Sequence, residues 1–371
     1  MYNSNNTKGQ WALAVIPALC CVMAVVLAAS LEYTNALTTV TSGSTDGLAL
    51  RTGLFALAGG AAALAASRTD TALLQRFCLP IGALGLILTA LTFTPLGYSP
   101  EGSDDRAWLG AGMLSFQPSE VLKLCFIVTF SAHLCRAKNI SRPGSLGLLM
   151  LHGAVPAALV WAQGDQGTAV VFIIIAAVML VAGGLPFPYL AAALIALPAG
   201  GGLLSGLLKE HQRQRIAVLF DPGLDPLGAG FQQLQSRRAI AGGGLLGKGL
   251  FTDGRGFVYV SQSQNDFILA YAGQAAGLLM CGIMTALLFG LCLAVFSVKA
   301  ETPFGRSLCT GVGALFFAHT LINTAMALGF MPVIGVPLPF FSAGGTAMIT
   351  MLMALGFVSA AQRPEKQKGQ Q

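Results

Sequence analysis

Charge is what this sequence has least of: Asp, Glu, Lys and Arg make up 10% of its 371 residues, against 54% hydrophobic ones. Soluble domains carry roughly 25% charged residues. A chain this long cannot cover a water-facing surface with so few, whereas a bilayer supplies an apolar exterior. Other absences narrow the reading further. No tract rich in Lys and Arg with interleaved aromatics appears, so the net charge of +6 does not point to nucleic acid. The eight cysteines form no CxxC pair and no His/Cys cluster, which excludes a disulfide framework and a zinc site. No internal repeat of solenoid period is present. Glycine, by contrast, is abundant at 46 copies, as suits helices that pack closely in lipid.

Apolar runs fall at 11–30, 52–67, 78–97, 118–135, 145–162, 168–185, 186–208, 267–298, 307–329 and 341–361. Most approach the ~20 residues that cross about 30 Å of hydrocarbon. Lys8 ahead of the first run has the look of a signal peptide, but the later runs favour an uncleaved first helix. The expected fold is an all-α integral membrane protein of about ten transmembrane helices, a single polytopic domain over 1–371. Lys and Arg in the short connections assign the sides. Lys8, Arg68, Arg76, Arg136, Lys138, Arg142, Lys299, Arg306, Arg363, Lys366 and Lys368 fall on one side, and both termini, including the tail 362–371, are placed in the cytoplasm.

One connection, 209–265 between helices seven and eight, is long and basic, with Lys209, Arg213, Arg215, Arg237, Arg238, Lys248 and Arg255. Its length marks a functional or disordered loop. Its glycines and apolar pairs (Ala239-Ile240, Leu245-Leu246) favour a structured loop lying on the membrane. Within it, Gly242-Gly-Gly-Leu-Leu-Gly247-Lys248-Gly249 nearly spells a P-loop but lacks the final Ser/Thr hydroxyl for magnesium. Two readings remain for it: a Gly-rich turn whose N–H groups and cation meet a phosphate, or an ordinary loop.

Three further stretches carry chemistry. Gln117-Pro118-Ser119-Glu120-x-x-Lys123 opens the fourth span, and its Glu and Lys are three apart on one helical face. Either they pair to orient helices or they touch substrate. Asp165 and Asp266 both stand at helix starts, where a carboxylate caps free N–H groups. Asp266 adjoins the basic loop, which makes it the better catalytic candidate. Pro332-x-x-Gly335-x-Pro337-Leu-Pro339-Phe-Phe-Ser342-Ala-Gly344-Gly345 holds three prolines in eight residues, so no regular helix runs through it. Backbone of that kind at membrane depth needs cover from protein or a wet cavity, hence a re-entrant segment before the last helix.

In this order the motifs resemble the SEDS (RodA/FtsW/SpoVE) family. The matching blocks are Gln117-Pro-Ser-Glu120-x-x-Lys123, Asp165-x-Gly-Thr-Ala169, Pro332 to Gly345, and a loop block. The loop block runs from Arg215 to Pro222, through Gln235-Ser236 and Gly243 to Gly249, and ends at Asp266-Phe267-Ile268. The resemblance implies a ten-helix fold in the bacterial cytoplasmic membrane and polymerisation of lipid II into peptidoglycan at its outer face. It also implies a class B penicillin-binding protein as partner. By the same resemblance the catalytic Asp is Asp266, and Glu120, Lys123, Asp165, Ser236, Lys248, Asn323 and Ser342 fall on characteristic positions. The sequence departs from the pattern at Ser261-Gln262, where Pro-Glu is usual, at Gln274-Ala275, where Glu-Glu is usual, at Ala107 for Arg, and at His319 for Gln.

Glycosyl transfer needs a base for the incoming hydroxyl and positive charge for the departing pyrophosphate. Asp266 is assigned as base toward the acceptor's 4-hydroxyl, with Lys248, Arg237 and Arg238 as phosphate partners. A divalent cation such as Mg2+ is an optional helper. A lipid-linked precursor flippase and a non-catalytic scaffold for a penicillin-binding protein are the alternatives.

Overall fold

The computed structural model describes residues 4–37, 45–99, 105–110, 115–137, 139–189, 217–219, 224 and 228–363. Its helices are α1 (Ser4–Leu37), α2 (Leu48–Ser67), α3 (Thr71–Arg76), α4 (Cys78–Ala90), α5 (Pro118–Arg136), α6 (Pro143–Ala162) and α7 (Gln166–Ala182). They continue as α8 (Ala229–Gly243), α9 (Ile268–Phe296), α10 (Pro303–Leu328) and α11 (Gly345–Ala361). All but α3 and α8 fall on apolar runs named above. The run 186–208 lies almost wholly outside the described residues, as do Lys209, Arg213 and Arg215. Six of the described helices are long and apolar enough to cross a membrane, and the helical segments Cys78–Phe93, Gln166–Ala182 and Gly345–Ala361 are apolar but shorter.

Local chemistry sets the ends. Pro118, Pro143 and Pro303 sit in the first turns of their helices, where a missing N–H costs nothing. Thr302 caps α10 by accepting from the Gly305 N–H at 2.9 Å, and Gly329, at φ 81°, closes it with the left-handed residue that side chains resist. Between α4 and α5 the described chain makes a two-residue hairpin, β1 (Gly97–Tyr98) against β2 (Trp108–Leu109). Arg106 ties it down by donating to the carbonyls of Gly97 and Thr94.

α5 and α10 are buried over most of their length and form the axis of the bundle, whereas α2 and α6 are largely open. Leu57, Leu79, Leu148 and Leu293 are exposed on the outside, an apolar belt suited to lipid. α2 and α11 meet at a glycine: a Cβ on Gly356 would lie 2.3 Å from the Ala63 carbonyl oxygen. Such contact between backbones is the close packing that small residues permit in membranes.

The segment between α10 and α11 is non-helical, as its prolines require, and it is covered by protein: Val336, Leu338, Phe340 and Phe341 are buried. It presses so closely on the start of α7 that a Cβ on Gly167 would lie 2.1 Å from the Ile334 carbonyl oxygen. Within the long connection, expected as a structured loop, residues Ala229–Gly243 form α8. Ala239 and Ile240 are its buried side, while Leu245 and Leu246 beyond its end are exposed.

Candidate active site

Four helix starts are hydrogen-bonded to one another at one end of the bundle. Gln117, before α5, donates from its side chain to the Asp165 carboxylate ahead of α7 at 2.8 Å. Its backbone N–H reaches the Thr346 hydroxyl in the first turn of α11 at 3.4 Å. The turn before α9 is held from two sides. The Ser342 hydroxyl donates to the Asn265 carbonyl at 2.7 Å, and the Ala343 N–H donates to the Gln264 carbonyl at 2.9 Å. From α10, the buried Asn323 amide donates to the carbonyls of Asp266 at 2.7 Å and Val336 at 2.8 Å. Asn323 and Ser342 therefore fix the backbone that carries Asp266. The positive ends of four helix dipoles converge here.

The two helix-start aspartates differ. Asp165 is a true N-cap: its carboxylate accepts from the Thr168 N–H at 2.9 Å as well as from Gln117. Asp266 caps nothing, because α9 begins two residues later and its cap is Phe267, which makes no side-chain bond. Its half-buried carboxylate makes no hydrogen bond and no ion pair among the described residues. Burial raises its pKa to about 6, helped by the neighbouring carboxylates of Asp165 and Asp105. Asp165 is also raised, by burial, against the pull of the Thr168 hydrogen bonds and Lys123. Gly335 is a site residue that the sequence did not single out. Its φ of 66° suits glycine, and a Cβ there would point at the Asp266 carboxylate from 3.5 Å.

Glu120 and Lys123 form a buried pair at 2.7 Å, both almost fully enclosed. The Lys123 ammonium also donates to His319 Nε2 at 2.9 Å, and His319 Nδ1 donates to the Pro337 carbonyl at 3.0 Å. These two bonds fix a neutral imidazole with its proton on Nδ1. A Gln side chain, donor on one atom and acceptor on the other, would make the same two bonds. The pair thus anchors α5 to α10 and to the proline-rich segment.

Arg237, Arg238 and Lys248 make no hydrogen bond to this network among the described residues. Ser236 is a buried pin, donating to the Ala327 carbonyl at 2.7 Å and tying α8 to the end of α10. Arg237 and Arg238 are exposed on α8, with the Arg237 stem against Gly329. The Lys248 ammonium donates to the Gly256 carbonyl and stands 5.9 Å over the Phe257 ring.

The near-P-loop is a structural clamp. α9 is broken at Gly277, with φ 83°, and the loop supplies the bonds the break removes. Lys248 and Gly249 donate their N–H groups to the carbonyls of Gln274 and Ala275 at 3.0 and 2.9 Å. In return the Gly244 and Leu245 carbonyls accept from Leu278 and Leu279 at 2.9 and 3.2 Å. The N–H of Gly247 goes to the Gly243 carbonyl at 2.9 Å. The N–H groups of Gly244, Gly247, Lys248 and Gly249, which a phosphate cradle would use, are thus occupied.

A family profile of cell cycle proteins, FtsW/RodA/SpoVE, matches residues 10–367. The chain is 32% identical over 314 residues to a probable peptidoglycan glycosyltransferase FtsW of Geobacter sulfurreducens (strain DL-1 / KN400), with 83% of each chain covered. It is 32% identical over 265 residues to the peptidoglycan glycosyltransferase MrdB of Escherichia coli (strain K12), covering 70% of this chain and 72% of MrdB. Among solved structures it is similar to a chain of a peptidoglycan synthase complex studied for the coordination of polymerization and crosslinking. That match has a TM-score of 0.80 and 24% identity, covering 96% of this chain and 98% of the other. The rod shape determining protein RodA of Thermus thermophilus shares the fold with a TM-score of 0.69 at 22% identity, covering 96% and 97%.

Proposed function

This chain belongs to the FtsW/RodA/SpoVE family of cell cycle proteins, and we propose that it is a peptidoglycan glycosyltransferase that polymerises lipid II at the outer face of the cytoplasmic membrane. The names of its relatives support the reaction. The observation that carries the assignment of the base is the unpartnered Asp266 carboxylate, held at its backbone by Asn323 and Ser342 while its oxygens stay free.

Asp266 takes the proton of the acceptor's 4-hydroxyl as that oxygen attacks the anomeric carbon of the donor sugar. The bond from that carbon to the phosphate oxygen breaks, and the lipid pyrophosphate departs. A base with a pKa near 6 is mostly ionised at neutral pH and still basic enough to accept a proton in the transition state. The converging helix starts meet the negative charge that builds on the leaving group. Lys248, Arg237 and Arg238 remain the proposed cationic partners for it, Lys248 after releasing the Gly256 carbonyl. A divalent cation finds no ready cage: no group of three His, Cys, Asp or Glu side chains that could hold one occurs among the described residues.

The proposed partner is a class B penicillin-binding protein that crosslinks the product, a reading supported by the likeness to a peptidoglycan synthase complex. Purified full-length chain in nanodiscs with labelled lipid II, alone and with that partner, tests the proposal. Glycan polymer is the expected product. Exchange of lipid II between leaflets without polymer would favour a flippase, and neither activity would favour a scaffold.

A further inference from the structure

Next to the turn that carries Asp266 lies a cavity of about 320 Å³ between the end of α1, the 254–264 segment and the first turns of α9. Its size falls at the lower end of the roughly 300–1,000 Å³ of ligand clefts. Among the described residues, not one Asp, Glu, Lys, Arg or His lines it. A bound ion would therefore lose its hydration with no opposite charge to replace it. Pyrophosphate, a metal ion and a charged peptide are poor occupants.

What lines it instead are amides, hydroxyls and aromatic rings, among them Asn35, Tyr259, Gln262, Gln264, Tyr271 and Gln274. Amide side chains offer donor and acceptor together, which is what a sugar hydroxyl or an N-acetyl group asks of its surroundings. Tyr259, 55% exposed, presents an apolar ring with a polar tip. The walls are fixed before any ligand arrives. Gln274 accepts from the Val258 N–H at 2.6 Å and donates to the Val258 carbonyl at 3.2 Å. Tyr271 is held by the Ser30 hydroxyl at 2.8 Å. Prior order of this kind lowers the entropy lost on binding. Gln262 also ties the cavity to the catalytic turn, its carbonyl accepting from Asn265 and Phe267 at 3.0 and 3.2 Å on either side of Asp266.

We propose that this cavity is a saccharide subsite that holds uncharged N-acetylated sugar rings of the glycan strand beside the bond being made. The proposal rests on the polymerase reading above and adds where the sugars sit. Sugar rings held there would keep the strand in register with Asp266 between additions.

Chitotetraose, a neutral N-acetylglucosamine oligomer, is the probe, titrated against the full-length chain in nanodiscs of phosphatidylethanolamine and phosphatidylglycerol. The parent is expected to bind it. Tyr259→Ala should weaken binding about tenfold, the range for loss of an aromatic anchor, and Ser263→Trp, which fills the cavity, should abolish it. Both variants should make shorter polymer from lipid II, while Asp266→Asn should bind chitotetraose as the parent does. Tyr259 makes no hydrogen bond among the described residues, so its variant is expected to fold. Absence of binding by the parent overturns the subsite, as does parental binding or parental polymer length in both variants. Binding lost in the variants of a parent that makes no polymer would sink the polymerase reading and leave the saccharide site standing.

Discussion

At the scale of single residues, both helix-start aspartates read as caps in the sequence, and only the adjoining basic loop and the family resemblance favoured Asp266. Both precede an apolar run, and capping explains either. The structure separates them because Thr168 and Gln117 occupy the Asp165 carboxylate, while the cap of α9 is Phe267, which leaves Asp266 free. This difference depends on where one turn points, which no spacing encodes. It has a consequence for pH. A base must be ionised to act, and the Asp266 pKa is raised from 3.8 to about 6. Polymerisation should therefore rise about tenfold per pH unit below about 6 and level off above it. Initial rates on labelled lipid II would show this acid limb, and a profile flat through pH 6 would argue against Asp266.

The Glu120–Lys123 spacing was legible as a pair, but its third member was not, because His319 lies 196 residues further along the chain. Glu120→Ala leaves a buried ammonium with only a neutral imidazole, and should cost about 3–5 kcal/mol in stability. The double change Glu120→Leu with Lys123→Leu should recover much of the loss. His319→Gln should keep both stability and activity, since Gln can make the same two bonds, whereas His319→Leu should lose both. Thermal unfolding in detergent beside the polymerisation assay separates these outcomes. Equal loss in the Gln and Leu variants would refute the donor–acceptor account.

At the scale of elements, hydropathy located the long apolar helices among the described residues because a helix in lipid has to satisfy every backbone group internally and dress itself in apolar side chains. The break in α9 was hidden for the complementary reason. Gly277 sits in an uninterrupted apolar stretch, and the bonds that replace the lost helical ones come from a loop about thirty residues earlier in the chain. The glycines that looked like a phosphate motif are there for closeness. A Cβ on Gly247 would lie 2.3 Å from the Ala275 carbonyl oxygen, at a φ of 83°. Gly247→Ala should thus destabilise the fold by about 1–3 kcal/mol. Gly60→Ala, on α2 with open space around its Cβ, should be neutral or slightly stabilising. Unfolding midpoints in detergent would compare the two, and equal midpoints would refute the clamp.

For the whole molecule, lack of charge already named the solvent, and the order of the motifs already named the family. What the sequence left open is how the parts converge. α5 and α10 are buried on most sides, so their polar residues face other helices and build the site, while α2 and α6 carry the surface suited to lipid. If the positive charges of the short loops set the orientation, both termini lie in the cytoplasm. A periplasm-specific reporter fused after Arg363 should then stay silent, and one inserted after Gly254 should report. The opposite result at either position would invert the topology and put Asp266 on the wrong side of the membrane.

The most direct test of the account is the rate at which Asp266→Asn polymerises lipid II in a folded preparation, beside Asp165→Asn and the parent. Asn keeps the size of the side chain and caps a helix about as well as Asp, so only the loss of a base distinguishes the variant. The account predicts that Asp266→Asn folds like the parent and loses about 10²–10⁴-fold in rate, with a much smaller loss in Asp165→Asn. Polymer made by folded Asp266→Asn at close to the parental rate would contradict it.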